Sequence, residues 1–398
     1  MKRNIMKTIG NAMNKWKNGA IPALLIHCSI GTVYCWSLLR NAICEAIGTT
    51  HSVIEWAFSI AIFFLGMSAA FAGNLVEKNV KISAIISTIC FVLGMVATGI
   101  SIQLQSITGI LLSYGCLMGI GLGIGYLTPV KTLMMWFHKN KGLATGIAIT
   151  GFGLAKVLAS PLIEYLQSIT SIQNVFYILA GVYCILMSIG AYFIRKPDGM
   201  QILKGNPFNI KESIKFICSK EYIAIWTVFF LNITCGLALI SQEKSLLESF
   251  NFVGSVALIA SLTAIFNSLG RFAYASLSDK LSDRGIIYSM IFITSMLACF
   301  IGPINTLGLV IALCICNAGY GGGFSTLPSL LSDKFGMNNV SIIHGFALSA
   351  WAWAGLVGNN LSNYILSNYS TSVLFIILTV LYLIAGSITY LYINKWRN

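Results

Sequence analysis

Three cations, Lys131, Lys156 and Arg271, fall inside membrane-length apolar stretches, whereas all twelve Asp and Glu lie at or near the ends of such stretches. A charge at the bilayer centre costs about 2.5–3.5 kcal/mol or more, so such residues are rare and usually serve a function. Cations with no acid to neutralise them call for an anion, and the sequence predicts that the anion is cargo.

Arg271 ends the stretch Asn267-Ser-Leu-Gly270-Arg271, eight residues before Asp279. At helical rise it is ~12 Å from that polar loop, too deep for easy escape to headgroups. A guanidinium stays charged there and can hold a carboxylate through two parallel hydrogen bonds. The competing reading is a structural arginine bonded to backbone carbonyls. Lys156, in Gly151-Phe-Gly153-Leu-Ala-Lys156, is fourteen residues past Gly142, ~21 Å along its helix. It either lines an internal cavity or snorkels along its stem to the surface. Lys131 follows Pro129 and precedes Trp136 by five residues, ~8 Å from that anchor. It is open to snorkelling, to cargo contact, or to guiding anions at the inner mouth.

The elements that must position these residues follow from composition. The chain has 398 residues, 57% hydrophobic and 9% charged, against roughly 25% charged in soluble domains, so it is expected to be an integral membrane protein. Twelve apolar spans are predicted, at about 20–39, 53–75, 82–102, 107–136, 142–165, 173–194, 221–242, 253–275, 286–304, 307–331, 341–363 and 372–394. Runs of this length imply helices, since barrel strands need only about 9–11 alternating residues.

The net charge of +13 is mostly topological, and its distribution argues against a nucleic-acid partner. Lys and Arg crowd the N-terminus, the even-numbered loops and the tail, whereas the odd-numbered loops keep Arg40 and Lys244. That pattern predicts a multi-pass protein of the cell (inner or plasma) membrane with both termini cytoplasmic. No small-residue cleavage site follows the first apolar run, so the first helix is read as retained. The eleven cysteines form no CxxC pair or ligand spacing, and neither disulfides nor a metal is expected. The glycines Gly119, Gly121, Gly123 and Gly125 lie within an apolar helix with no preceding strand, so they read as close-packing residues and not as a phosphate loop. No cofactor is implied, and no nucleophile–base set suggests an enzyme.

The longest polar interruption, Arg195–Lys220, divides the chain into an N-terminal six-helix unit (1–194), a cytoplasmic linker (195–220) and a C-terminal six-helix unit (221–398). Equivalent charged loops follow spans 2 and 8: Gly73-Asn-Leu-Val-Glu77-Lys78 and Ala275-Ser-Leu-Ser-Asp279-Lys280, the latter extended to Arg284. They are expected to act as gating loops between two parallel repeats, an arrangement that holds cargo between the halves near mid-membrane.

Twelve spans, a central loop and these paired loops resemble the major facilitator superfamily. Finer motifs resemble its oxalate/formate antiporter family, which is monocarboxylate-transporter-like. They are Tyr34-Cys-Trp36-Ser37, Gly125-Tyr126-Leu-Thr-Pro129, Trp136-Phe137, Lys141-Gly142-Leu-Ala-Thr-Gly146, Phe230-Leu-Asn232, Tyr320-Gly-Gly-Gly-Phe324 and Ile343-His344-Gly345. The resemblance implies an all-α fold of two pseudo-symmetric six-helix bundles and alternating access to a carboxylate site. It implies that Arg271 binds the carboxylate, and that Tyr34, Trp36, Tyr126, Tyr320 and Phe324 lie in or beside an aromatic cage. One position departs from the pattern. Oxalate antiporters carry a second cation on span 11, where this chain has Trp351. Either the cargo is a monocarboxylate held mainly by Arg271, or Lys156 supplies the second charge from the other half.

Bare cations in an empty carrier resist reorientation, which favours exchange of one small carboxylate anion for another by a monomeric carrier in the lipid bilayer. Proton-coupled monocarboxylate symport and a non-transporting carboxylate sensor are the alternatives. His344 and His27 are read as packing residues.

Overall fold

The computed structural model describes residues 14–137, 141–197, 215–281, 283–335 and 340–393. They form twelve helical rods: α1 (Trp16–Ile47), α2 (His51–Phe71), α3 (Val80–Gln103), α4 (Ile107–Trp136), α5 (Lys141–Ile169), α6 (Ile172–Phe193), α7 (Lys220–Ser249), α8 (Val256–Ser278), α9 (Gly285–Ile301), α10 (Thr306–Phe335), α11 (residues 340–368, broken at Leu348) and α12 (Thr371–Ile393). Ten are long and apolar enough to cross a membrane. Helices satisfy their own backbone polar groups, which is what permits a chain to span hydrocarbon. The chain is an all-α membrane protein with two pseudo-symmetric six-helix bundles.

Turn chemistry matches the predicted breaks. Ser219, Ser255 and Ser370 accept backbone N–H bonds at the starts of α7, α8 and α12, and Asn79 does so for α3. These side-chain caps satisfy donors that the first helical turn leaves without partners. α1 is interrupted by a tighter turn at Gly31–Cys35, which leads into Trp36. α10 carries Pro328 and α4 carries Pro129 in their interiors.

Two helices run furthest past their predicted ends. α1 continues to Ile47 and α7 to Ser249, so Arg40 and Glu243 lie within buried helix and not in loops. Hydropathy falls at these residues, but helix hydrogen bonding does not stop where hydropathy falls. The charges of Arg40 and Glu243 are paired across helices, with Glu55 and Lys156, which makes burial tolerable.

The two bundles meet along α5 with α8 and α2 with α11. Small residues allow the approach. A Cβ at Gly66 would stand 2.5 Å from the Ala352 nitrogen, and one at Gly153 would stand 2.4 Å from Ser268 Oγ. Glycine at these seams brings backbones together and sets how close α5 can carry Lys156 to the opposite bundle.

Gly66→Ala is expected to destabilise the protein by about 1–3 kcal/mol through overpacking. Gly181→Ala, whose added Cβ meets no atom within 4 Å, is the control. Thermal unfolding in detergent checks this: Tm should fall for the first and hold for the second, and equal Tm values would refute the close-packed seam.

Candidate functional site

Arg271 is fully buried on α8. Its Nε donates to Asn267 Oδ1 one turn earlier, at 2.7 Å. It is not locked onto main-chain oxygens. The guanidinium carbon lies 5.3 Å from the Phe324 ring centre, 5.9 Å from Phe152 and 6.0 Å from Tyr320. Aromatic faces attract a cation by their quadrupole, so the rings hold the charge in place without consuming its N–H donors.

The rest of the group is an interlocked set of aromatics drawn from both bundles. Trp351 packs against Phe324 (4.5 Å between ring centres), Tyr126 (5.1 Å) and Phe152 (5.9 Å). Tyr34 meets Phe152 at 5.0 Å, and its hydroxyl shares a 2.6 Å hydrogen bond with that of Tyr320. Tyr34, Tyr126 and Phe152 come from α1, α4 and α5; Tyr320, Phe324 and Trp351 come from α10 and α11. The sequence-predicted residues Arg271, Tyr34, Tyr126, Tyr320, Phe324 and Trp351 are thus assembled in one place.

Several polar atoms of this group are left without a protein partner. Arg271 Nη1 and Nη2, Tyr126 Oη and Trp351 Nε1 are all buried without a hydrogen-bond partner among the described residues. The Tyr34 and Tyr126 hydroxyls lie close enough to interact with the guanidinium, but among the described residues neither terminal nitrogen makes a hydrogen bond of normal geometry. Buried donors are almost always satisfied, and leaving one unmade costs about 1–3 kcal/mol. Here four such atoms fall in one cluster, two of them on one guanidinium.

Lys156 requires a correction. It was expected to lack a neutralising acid, yet its Nζ forms a buried ion pair with Glu243 Oε2 of α7, whose Oε1 accepts from Thr263 of α8 at 2.6 Å. Glu243 stood at a predicted span end, and the extension of α7 carries it inside. Lys156 lies one turn beyond Phe152, so the pair caps the aromatic group on the side of the α1–α2 and α7–α8 loops. Further toward that side, Arg40 Nη1 bonds Glu55 Oε1 at 2.5 Å and Gln242 Oε1 at 3.0 Å, and Nη2 reaches Ser245 Oγ at 2.6 Å. Arg40, Glu55, Lys156 and Glu243 are each 3% exposed or less. These ties join the bundles and close this end of the molecule.

Trp36 is not part of the aromatic group around Arg271. Its Nε1 donates to Glu55 at 3.2 Å and its ring packs on Tyr114 and Phe58, so it belongs to the Arg40 network. Lys131 is half-buried at the opposite end, its Nζ 3.4 Å from the Gly73 carbonyl. It stands beside the Gly73–Lys78 segment and not in the aromatic group. In the second loop, Arg284 bonds Asp279 at 3.0 Å and Asp333 at 2.6 Å. Lys78 and Lys280 are exposed, and the Glu77 side chain lies outside the described residues.

Sequence reading missed Phe152, Glu243, and the Arg40–Glu55 pair. Phe152 sits four residues before Lys156, the i,i+4 spacing that places both on one helix face, which was the available signal. Two shallow grooves open on outer seams, one between α9 and α12 near Phe292 and Tyr382, the other between α3 and α6 near Lys81 and Tyr192. Neither includes Arg271, because the aromatic group closes tightly around it.

A twelve-helix membrane protein with a buried cationic centre between two bundles is a carrier by architecture. Residues 23–359 match the Major Facilitator Superfamily, and the chain belongs to that family of membrane transporters. It is 26% identical over 335 residues to an uncharacterized MFS-type transporter, YhjX, of Escherichia coli (strain K12), covering 82% of each chain. It is 24% identical to the oxalate:formate antiporter of Oxalobacter formigenes, covering 94% of this chain and 90% of that one. It is 21% identical to apicoplast pyruvate carrier 1 of Toxoplasma gondii, over 81% and 78% respectively.

Removing one partner of a buried ion pair strands the other charge and costs roughly 3–5 kcal/mol, whereas removing both costs much less. Lys156→Met and Glu243→Leu should each lower Tm sharply, and the double variant should recover most of the loss. Strictly additive losses would show that the pair is not coupled.

Proposed function

We propose that the protein carries small monocarboxylate anions through a single central site, exchanging one anion for another by alternating access. The observation that carries this reading is the set of four buried donors without acceptors around Arg271. A monocarboxylate would place its two oxygens on Nη1 and Nη2 of Arg271, in the planar fork geometry that guanidinium favours. Tyr126 Oη and Trp351 Nε1 would complete the oxygens' remaining hydrogen bonds. The surrounding rings limit the cargo to a small organic group.

The preference for one negative charge over two rests on Trp351 and Lys156. At the position where oxalate antiporters have a second cation, Trp351 offers a neutral N–H. The charge of Lys156 is neutralised by Glu243, so it is spoken for in this closed state. One net cation remains, which one carboxylate balances. A relative named as an oxalate:formate antiporter and another named as a pyruvate carrier agree with a carboxylate as cargo.

Alternating access would follow from the placement of the ties. The units 1–194 and 221–398, joined by the linker 195–220, would rock about the central site. With the odd-numbered loops outside, as the distribution of Lys and Arg predicts, the Lys156–Glu243 and Arg40–Glu55–Gln242 ties form an outer gate. The loops at Gly73–Lys78 and Asp279–Arg284, with Lys131 between bundle and loop, would form the inner one. An empty site leaves Arg271 bare, and a bound anion offsets that charge, which favours exchange. The protein would act as a monomer in the cell membrane with both termini cytoplasmic.

Proteoliposome counterflow with labelled formate, pyruvate, lactate and oxalate tests the reading. Monocarboxylate exchange is expected in the wild type. Arg271→Gln should reduce it at least tenfold, and Arg271→Lys, which keeps charge but loses the fork, should fall between. Unchanged counterflow in Arg271→Gln would remove the proposal. Trp351→Lys is expected to raise oxalate exchange relative to formate, since it restores a second cation; a ratio that does not move would count against the single-charge argument.

A further inference from the structure

Among the described residues Arg271 has one hydrogen-bond acceptor, and that acceptor is neutral. Asn267 Oδ1 takes the Nε–H of Arg271 at 2.7 Å. Asn267 Nδ2 donates to Asn317 Oδ1 of α10 at 3.4 Å, and Asn317 Nδ2 donates to the Leu313 carbonyl at 2.9 Å. The two ends fix the direction of this chain. A guanidinium only donates and a carbonyl only accepts, so Asn267 must turn its oxygen to Arg271 and Asn317 its nitrogen to Leu313. All three side chains are buried. Neighbouring helices crowd Asn267 from two sides. A Cβ at Gly321 of α10 would stand 2.3 Å from the Asn267 carbonyl oxygen and 2.9 Å from Arg271 Cγ, and one at Gly153 of α5 would stand 3.3 Å from Asn267 Oδ1. Asn267 therefore lies where α8, α10 and the opposite bundle meet, with room for an isosteric side chain and not for a longer one.

We propose that Asn267 is the residue that makes the carrier an obligate exchanger, by giving Arg271 an acceptor that bears no charge. This rests on the carboxylate reading above. An aspartate at 267 would fill the same space and accept the same Nε–H, yet it would neutralise the guanidinium. The molecule uses that alternative at Lys156 and Arg40, which are paired with Glu243 and Glu55. A buried cation with its own acid needs no passenger. The amide has two other consequences. It orients the guanidinium through Nε, so that Nη1 and Nη2 keep no partner among the described residues and present their parallel donors to a carboxylate. It also leaves the whole positive charge in place when the site is empty. Reorientation of the empty carrier must then take an uncompensated charge through a closed, dry centre, which is costly, whereas the loaded carrier closes around a neutral pair. An acid at 267 would supply the missing negative charge from within. It would let the empty carrier return, and it would weaken the hold on the passenger at the same time.

The experiment compares two readouts in the same proteoliposomes, loaded with labelled pyruvate, lactate, formate or oxalate, whichever the wild type exchanges fastest. The pH is equal on both sides, and potassium with valinomycin clamps the potential. Efflux into medium holding the unlabelled anion reports exchange. Efflux into carboxylate-free medium, corrected for protein-free liposomes, reports return of the empty carrier. In the wild type, exchange should exceed net efflux at least tenfold. Asn267→Asp should raise the ratio of net efflux to exchange at least tenfold, with a higher KM for the external anion. Asn267→Ser removes the amide without adding charge, so it should raise KM and keep the wild-type ratio. A wild-type ratio in an Asn267→Asp protein that still transports would overturn the proposal, as would a wild type whose net efflux equals its exchange. A ratio moved as far by Asn267→Ser as by Asn267→Asp would also overturn it, because packing would then account for the effect. Absence of wild-type exchange for all four anions would instead overturn the carboxylate reading and this inference with it. If Asn267→Asp fails to fold or transports nothing, Asn317→Asp, which sets the acid one step further along the same chain, decides by the same ratio.

Discussion

The guanidinium of Arg271 is the constraint around which the molecule is organised. It is fully buried, it cannot shed its proton, and one of its three nitrogens is satisfied, by Asn267. Burying a charge without a partner is costly, so its surroundings must lower that cost. Three aromatic faces do part of this, and the helix seams lined by glycine let those rings close from both bundles. What remains is two N–H-bearing nitrogens, a tyrosine hydroxyl and an indole N–H with no acceptor among the described residues. In the account developed above, the cargo is the acceptor, and the centre is complete when it is bound.

The other buried charges serve a different purpose. Lys156 with Glu243, and Arg40 with Glu55, are self-neutralised, and their partners on α7 and α8 cross from one bundle to the other. Such pairs add little net stability over apolar packing, and their best-attested value is to specify one arrangement over another. Here the arrangement is closure of one end of the carrier. A ligand-facing cation and a gate cation are thus distinguished by a single question: whether the protein supplies the counter-ion. Among the described residues Arg271 has none, and Lys156 has one.

Much of this was legible in the sequence because hydrocarbon imposes strong rules. Span length and the scarcity of charge predicted the helices, and Arg271 stood out because no acid lies near it in sequence. The cage members Tyr34, Tyr126, Tyr320 and Phe324 were reached through motif resemblance, and the same reasoning put Trp36 beside them. Two residues along a helix turn a side chain to a different face, and the tight turn at Gly31–Cys35 makes that face hard to anticipate; Trp36 points to Glu55 instead. The Lys156–Glu243 pair was illegible for another reason. Its members are 87 residues apart, and Glu243 looked like a loop residue because hydropathy falls there while the helix continues. His27 was unreadable for a third: its partners are the main-chain carbonyls of Ala148 and Tyr126, which no sequence pattern marks.

The central claim is that the two terminal nitrogens of Arg271 receive the carboxylate of the cargo. Its most direct test is an experimental structure of the protein with bromopyruvate or pyruvate bound, alongside one without. The account predicts a carboxylate within hydrogen-bond distance of both Nη1 and Nη2, with the rings of Phe152, Phe324 and Trp351 around it. A cargo seated elsewhere, with Arg271 holding protein acceptors through both terminal nitrogens in the two structures alike, would contradict it.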